Sequence, residues 1–284
     1  MKIVSSGKAL HSSEYHTKKQ KEKHLSQILI ILGILVVVII PILILRMERF
    51  QIEEIKVVGN LILRSEEVSI ITNKVLGENY LWLIPKSNTL IYPRRALTRT
   101  LLTELPRIQT LKFKLLSFHV LEITVEERVP VALYCGDLNK LEETSDCYFL
   151  DSNGYIFSRA PSFSGEVYFI YSDGQDAENS KGREFLPPEK FIPLSNFINI
   201  LETLNIHSTA LEVTPQTLEK KSRYLLHLAN FAVIYWYPEE NLDLIESSIR
   251  TLITSDILQG GDNFLDNIVY LDLTLPNKPY WLPK

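Results

Sequence analysis

An apolar stretch of about 18 residues, from Ile28 to Leu45, constrains this chain more than any other feature of its sequence. It contains no charged residue. As a helix rising 1.5 Å per residue, it would cover roughly 27 Å, which matches the hydrocarbon thickness of a bilayer. We therefore predict a single transmembrane helix over residues 26–46, in contact with lipid through residues 28–45.

Lysine residues before this stretch set the predicted orientation. Residues 1–25 hold six Lys and two Glu, and because Lys resists translocation, this tail should stay in the cytoplasm. The rest of the chain should then lie outside. A cleaved signal peptide is the alternative, but the apolar stretch is longer than a usual signal core and no small-x-small cleavage pattern follows it. We expect the helix to remain as an anchor in the inner or plasma membrane.

The distribution of charge argues against one class of partner. The chain carries a net charge of −4, and because residues 1–25 contribute +4, residues 26–284 carry −8. A nucleic-acid-binding surface needs clustered basic residues. We therefore expect no nucleic-acid partner for the acidic outer region.

Residues 50–128 have the pattern of a small α+β domain. Period-2 alternation of apolar residues indicates strands, and apolar residues at three- and four-residue spacing indicate helices. In chain order these patterns predict a strand ending at Gly59-Asn60, a helix from Ser65 to a C-cap at Gly77, a helix over 93–105, and strands over 108–115 and 119–128. The predicted order is β-α-α-β-β.

Residues 129–284 predict a second domain, built around a mixed sheet with two flanking helices, so the fold class is α+β. The continuous apolar run from Phe231 to Tyr237 suggests a strand buried on both faces by those helices. Ala229-Asn230 is predicted as the hairpin turn before it. The other predicted elements are helices over 193–204 and 240–258, strands over 131–134, 148–151, 211–214 and 224–228, and a hairpin turn at Asn153-Gly154.

The chain has two cysteines, Cys135 and Cys147, each at the end of a predicted strand. A hairpin would bring them together, and outside the cytoplasm a disulfide closing this loop could contribute roughly 3 kcal/mol. Two free thiols are the alternative. A metal pair does not fit, because no further Cys or suitably spaced His accompanies them.

Motifs of catalysis are missing from the sequence. There is no G-x-S-x-G, H-E-x-x-H, P-loop or G-x-G-x-x-G pattern. Glu126-Glu127 and Glu239-Glu240 are adjacent acidic pairs, but neighbours on a strand point to opposite faces, so we expect both pairs to be solvated. We predict no catalytic, cofactor-binding or metal-binding residues, and no small-molecule substrate.

Three segments together resemble one known family, the bacterial cell-division proteins FtsQ and DivIB. Residues 50–131 resemble a POTRA domain, and Val125 to Ala132 resembles that domain's recurring V-x-E-R-x-P-V-A ending. Tyr148 to Phe157 resembles the L-V-D-x-x-G-x-x-F hairpin of the family's β domain, and Val269 to Thr274 resembles its terminal strand. With the anchor, these segments cover nearly the whole chain in the family's order.

The resemblance implies a non-enzymatic scaffold at the division septum. It also implies partners similar to the single-span proteins FtsB and FtsL, bound at the C-terminal edge of the β domain. Open strand edges suit this role, since they can pair with an added strand. Carried onto this sequence, the partner-binding residues are Tyr270, Leu271, Asp272, Leu273, Thr274 and Leu275, with Tyr280 and Trp281 beyond them.

One position departs from the family pattern, and two features of the prediction stay open. Thr274 stands where the family strand usually has Arg, so a polar contact from that Arg is not expected here. The aromatic pair Tyr280 and Trp281 either anchors a partner or packs back onto the domain. For the whole chain, the alternatives are a POTRA protein that handles polypeptides in envelope assembly and a membrane-anchored envelope enzyme.

Overall fold

The computed structural model describes residues 13–138, 147–163, 165, 167–217, 221–254, 264–275 and 278–284, with side chains from residue 23 onward. It is a mixed α+β fold with an apolar N-terminal helix and a large mixed sheet. Residues 1–12 of the predicted tail and the end of the helix predicted over 240–258 lie outside the described residues.

The helices are α1 (Ser13–Leu45), α2 (Ser65–Leu76), α3 (Arg94–Glu104), α4 (Pro188–Thr203) and α5 (Leu242–Thr254). The strands are β1 (Glu54–Val58), β2 (Asn79–Tyr80), β3 (Ile84–Pro85), β4 (Ile108–Leu115), β5 (Val120–Glu127), β6 (Ala132–Tyr134), β7 (Tyr148–Leu150), β8 (Ile156–Arg159), β9 (Ile170–Ser172), β10 (Ser208–Val213), β11 (Tyr224–Leu228), β12 (Val233–Trp236), β13 (Ile268–Asp272) and β14 (Tyr280–Pro283).

Helix α1 contains the predicted apolar stretch. Among the described helices it is the one long and apolar enough to cross a membrane, over Lys23–Leu45. The helix begins well before the predicted boundary at residue 26, because the Lys, Gln and Glu residues of that segment are good helix formers.

The described residues form two compact units. The first contains the described residues up to Val58, with Arg64–Thr98 and Lys112–Thr124, and the second contains Gly59–Leu63, Arg99–Leu111 and the chain from Val125. Helix α3 and strands β4 and β5 each contribute residues to both units.

The first unit is organised by β1, which pairs in parallel with β5 in a sheet of order β1-β5-β4. Helix α2 lies against β1, and its Val68 is fully buried, as are Leu121 and Ile123 of β5. The predicted order of one strand, two helices and two strands is observed. A short hairpin of β2 and β3 between the two helices was not predicted.

The end of α1 is bonded to a loop of the first unit. Asn88 is fully buried, and its Nδ2 donates a hydrogen bond of 2.7 Å to the Leu45 carbonyl oxygen. Gln51 Nε2 donates to the same oxygen at 3.1 Å. Backbone bonds from Ile52 N to Ser87 O and from Thr89 N to Phe50 O hold the two segments together. Carbonyl groups at a helix end need such partners, so this loop caps the helix.

The second unit is built on a nine-stranded sheet among the described residues, with order β14-β13-β12-β11-β10-β9-β6-β7-β8. Strands β10 to β12 and β6 to β8 are antiparallel meanders, whereas β9 is parallel to both β6 and β10. Strand β13 is parallel to β12. The sheet is therefore mixed.

The main core lies on one face of this sheet. Ile234 and Trp236 of β12 alternate with half-buried Val233 and Tyr235. The buried side chains pack in one cluster with the apolar faces of α4 and α5. The prediction that β12 is buried on both faces was wrong, because both helices contribute to this one cluster.

Two predicted boundaries were also wrong. Phe231 lies in the hairpin turn with a φ of +69°, not in the strand, because Leu228 N bonds to Ala232 O and closes a three-residue loop. Helix α4 begins at Pro188, a favourable first position for proline, and includes Pro193. The burial of Phe191 extends its apolar stripe one turn earlier.

Substitution of Asn88 by Ala should destabilise the first unit. It removes the Nδ2 bond to Leu45 O and the acceptor of a 2.9 Å bond from Leu90 N. Losing buried hydrogen bonds of this kind costs about 1–3 kcal/mol. Denaturant unfolding of the full chain in detergent measures this loss. Asn73→Ala, at an exposed position of α2, is the control and should leave stability within about 0.5 kcal/mol. Equal stability of the two variants would contradict the capping role of Asn88.

Candidate functional site

The candidate site is the C-terminal edge of the large sheet. The sequence predicted a strand from Tyr270 to Leu275 as this edge. In the structure the strand ends at Asp272, and β14 pairs antiparallel with its outer side. No described strand pairs with the other side of β14. The edge is therefore Tyr280–Pro283, one strand beyond the predicted position.

Backbone directions on β14 follow from its neighbours. Leu273 N bonds to Tyr235 O, and Lys284 N bonds to Asn267 O, each at 2.9 Å. Along a paired strand, the backbone N–H and C=O groups of successive residues point alternately toward the neighbouring strand and away from it. The backbone groups of Tyr280 and Leu282 therefore point toward β13, and those of Trp281 and Pro283 point toward the open side. Pro283 has no N–H, so Trp281 supplies the outward donor of this strand.

Side chains on β14 alternate between two environments. Trp281 lies on the core side, where it packs edge-on to Phe264 with ring centroids 5.5 Å apart. Tyr280 is 58% exposed, and Leu282 is 42% exposed on the same face. Of the two possibilities left open for the aromatic pair, the structure shows Trp281 packed back onto the domain and Tyr280 turned outward.

The remaining predicted partner-binding residues are divided between the two faces. Leu271 and Leu273 are buried in the core. Asp272 Oδ1 accepts bonds from Thr274 N and Thr274 Oγ1, at 2.8 and 2.6 Å, and this local turn ends the strand. Tyr270 lies on the face opposite the core, and Leu275 is exposed after the turn. The structure therefore brings Tyr270 together with Tyr280, and directs Leu271 and Leu273 of the predicted strand away from them.

Three tyrosines form a continuous row on the face opposite the core. The rings of Tyr235 and Tyr270 are 5.4 Å apart, and those of Tyr270 and Tyr280 are 6.2 Å apart. The Arg223 guanidinium lies 5.2 Å from the centre of the Tyr235 ring. Burial, with the Asp272 carboxylate as a smaller cause, raises the pKa of Tyr235 to about 12. We call Tyr235, Tyr270 and Tyr280 the tyrosine row; it ends at the open edge.

Sequence reasoning missed β14. The strand has four residues, and a proline lies before it and another at its end, so it offers little of the alternation that is typical of a strand. Its pairing with β13 is visible only in the folded chain.

One residue from each of two sequence motifs, Val125 to Ala132 and Tyr148 to Phe157, forms a contact in the second unit. Arg128 Nη1 forms an ion pair with Asp151 Oδ2, and both side chains are largely buried. The guanidinium also lies 3.9 Å from the centre of the Tyr155 ring, and its Nε donates to Pro106 O at 3.1 Å. Asp151 Oδ1 accepts the backbone N–H groups of Asn153 and Tyr155 in the predicted hairpin turn. Arg128 and Asp151 therefore have structural roles in the second unit.

Glu127 also has a structural role, contrary to the prediction that it is solvated. Its side chain is 5% exposed. Oε1 accepts hydrogen bonds of 2.7 to 2.9 Å from the backbone N–H groups of Leu61, Ile62 and Leu63. Three adjacent N–H groups converging on one oxygen stabilise a carboxylate, so this acidic residue orders the segment after Gly59.

Cys135 and Cys147 are joined by a disulfide with a Cα–Cα distance of 4.3 Å. Cys135 packs with Leu133 and Ala160 in a small cluster separate from the main core. Residues 139–146 of the loop between the cysteines lie outside the described residues.

A polar cluster in the second unit joins Tyr134, Asp173, Ser180 and Arg183. Tyr134 Oη donates to Asp173 Oδ1 at 2.6 Å, and Arg183 Nη2 donates to Tyr134 Oη, Asp173 Oδ2 and Ser180 Oγ at 2.7 to 3.1 Å. Burial, and next the bond to Asp173, raise the pKa of Tyr134 to about 12. The four side chains satisfy one another, as in a structural network. Among the described residues, no three His, Cys, Asp or Glu side chains are placed to hold a metal ion.

Substitution of Arg128 by Met should destabilise the second unit by about 3–5 kcal/mol, because it leaves the Asp151 carboxylate buried without its partner. Adding Asp151→Asn should restore part of the loss, and a double-mutant cycle of unfolding free energies measures the coupling. Arg250→Met in the exposed pair with Glu246 is the control, with an expected loss of about 0.5 kcal/mol or less. Similar losses at Arg128 and Arg250 would contradict a structural role for the buried pair.

Reduction of the disulfide should cost the second unit roughly 3 kcal/mol, because it frees a loop closed over a separation of 12 residues. The unfolding midpoint of the full chain, with and without reductant, tests this. The Cys135→Ser, Cys147→Ser variant should unfold at the reduced midpoint in both conditions. A midpoint of the unchanged chain that does not respond to reductant would contradict the expectation.

In the comparisons with known proteins, no family model matches the chain and no curated protein matches it.

Proposed function

We propose that this chain is a non-enzymatic, single-pass membrane scaffold of the bacterial cell-division complex, similar to proteins of the FtsQ/DivIB family. Its tail would lie in the cytoplasm and its folded units outside. Residues 50–128 would serve as a POTRA domain and residues 129–284 as the β domain that binds partners. Those partners would be single-span division proteins similar to FtsB and FtsL, met at the division septum.

The element order supports this proposal. An apolar helix precedes a strand, two helices and two strands, and β5 lies between β1 and β4 in their sheet. A large mixed sheet follows, and the motif residues Arg128 and Asp151 pair within the second unit. A tether followed directly by two α+β units suits a protein that presents a docking surface to other membrane-anchored chains.

The open edge at β14 is the observation that carries the proposal. Exposed edges of mixed sheets bind extended segments by adding a strand. Trp281 offers one outward N–H and one outward C=O, and Pro283 offers only a C=O. Main-chain pairing at this edge is therefore short, and side-chain contacts must supply much of the affinity.

Tyr280 and Leu282 are the side chains best placed for those contacts. Both are exposed at the open edge. Tyr280 is also the member of the tyrosine row that lies at this edge, and its ring contacts that of Tyr270. Tyrosine is enriched among the residues that dominate binding energy at interfaces. We therefore expect an extended partner segment with apolar side chains at alternate positions, since those are the positions that face Tyr280 and Leu282.

A variant with Tyr280→Ala and Leu282→Ala tests this edge. The two substitutions remove the exposed side chains of β14. They retain the backbone pairing of β14 with β13 and the packing of Trp281 on Phe264. We expect binding of an FtsB-like partner to weaken about tenfold or more, which corresponds to about 1.4 kcal/mol or more. Co-purification with the full chain in detergent, followed by titration, measures the change.

Phe231→Ala is the matched control for this test. Phe231 is an exposed aromatic residue in the turn between β11 and β12, so its removal should leave partner binding unchanged. Equal binding by the edge variant and the unchanged chain would overturn the assignment of the edge. The division role is tested separately by a fluorescent fusion: we expect enrichment at midcell, and uniform membrane fluorescence would overturn that role.

A further inference from the structure

The hairpin of β2 and β3 presents three consecutive apolar residues to solvent. Leu81 is 88% exposed, Trp82 is 92% exposed and Leu83 is half exposed. Tryptophan is buried on average more than most residues, so a nearly fully exposed one is unusual. We call Leu81, Trp82 and Leu83 the hairpin tip.

The backbone of the hairpin tip is strained. Leu83 N donates to Tyr80 O at 2.9 Å, so Leu81 and Trp82 are the central residues of the turn. Their φ angles are +46° and +63°. Positive φ at both central residues defines a type I′ turn, for which Asn-Gly is the favoured sequence. Large residues with positive φ are uncommon and cost free energy, and such strain concentrates at functional segments.

The base of the hairpin is held firmly. Lys86 Nζ pairs with Glu78 Oε2 at 2.5 Å, and Lys86 N bonds to Glu78 O. Tyr80 Oη donates to the Ile91 carbonyl oxygen at 3.1 Å. The exposed tip therefore extends from a fixed base and has a defined position in the first unit.

That position is next to the end of the apolar helix. Strand β3 lies against α1, and Asn88, three residues after β3, bonds to the carbonyl oxygen of Leu45. Leu45 is the last residue of the apolar stretch, so in a helix that crosses a bilayer it lies at the boundary of the hydrocarbon. The hairpin tip directly precedes β3, which keeps it close to that boundary.

We propose that the hairpin tip inserts into the interfacial layer of the membrane beside α1. Tryptophan favours this layer, because its ring is apolar and its N–H remains hydrated there. The bilayer that surrounds α1 would extend to the neighbouring hairpin tip. It would then cover apolar side chains that are exposed in the folded chain. This second contact would restrain the first unit relative to the membrane. It rests on α1 crossing a membrane, as in the proposed function, but does not depend on partner binding.

Tryptophan quenching by brominated lipid tests this contact. The chain has three tryptophans and none lies in the apolar stretch, so the signal reports on the folded units. The full chain is reconstituted in vesicles of equal parts phosphatidylcholine and phosphatidylglycerol, with bromine placed either near the headgroup or at the chain end. We expect strong quenching by the shallow bromine, weaker quenching by the deep bromine, and loss of most of the quenching in Trp82→Phe.

Two variants separate insertion of the hairpin tip from a general contact of the first unit with lipid. Ile70→Trp in the Trp82→Phe background places an exposed tryptophan on α2 of the same unit, and we expect it to be quenched much less than Trp82. The pair Leu81→Asn and Trp82→Gly installs the favoured turn sequence. Relief of the turn strain should raise the unfolding midpoint in detergent, and this readout does not depend on the Trp82 fluorophore. A lowered midpoint would show that the two side chains stabilise the fold, and would contradict a tip that is strained for contact with the membrane.

The outcomes also distinguish this proposal from the proposed function. Resistance of the reconstituted chain to carbonate extraction, with no quenching lost in Trp82→Phe, would overturn the hairpin contact and leave the anchor and the scaffold role untouched. Equal quenching of Ile70→Trp and Trp82 would also overturn it, because the unit would then lie on the bilayer without a specific insertion. Partner binding is not measured in these vesicles. A failure to bind a partner in the co-purification test would therefore leave the interpretation of the quenching unchanged.

Discussion

The second unit depends on burying one face of its large sheet beneath α4 and α5. Because side chains alternate along each strand, burying one face leaves the other face to solvent or to further contacts. Ile234 and Trp236 of β12 enter the core, so Tyr235 must lie on the opposite face. The same alternation places Trp281 toward the core and Tyr280 away from it. The candidate surface is thus a consequence of how the core is filled.

The motif residues behind the family resemblance serve the structure itself. Gly59 has a φ of +83°, and a Cβ there would lie 2.5 Å from Val125 O. Gly154 has a φ of +80°, and its Cβ would meet the Phe191 ring at 2.6 Å. With Glu127, Arg128 and Asp151, these residues close turns and satisfy buried charge. Their observed roles are therefore structural, and a function has to be argued from the sites that the fold presents.

Local patterns predicted the elements whose identity depends on neighbours in sequence. The periodicities of α2, α3, β4, β5 and β11 match the observed elements within one or two residues. The errors came from contacts distant in sequence. Pairing with β11 put Phe231 into a turn, although its apolar character favours a strand. Burial of Phe191 extends the apolar face of α4, so the helix begins before Pro193. Main-chain pairing with β13 makes a strand of Tyr280–Pro283.

The sequence by itself determined the apolar helix, the acidic composition of the rest of the chain, the order of the strand, two helices and two strands over residues 50–128, and the two cysteines at the ends of neighbouring strands. These features follow from charge, hydrophobicity and short-range periodicity, which are properties of the chain alone. Tertiary structure decided which strand lies at the edge and which face carries the tyrosine row. Each of these depends on pairing and burial between residues far apart in sequence, and a one-residue change of register would exchange the two faces of a strand.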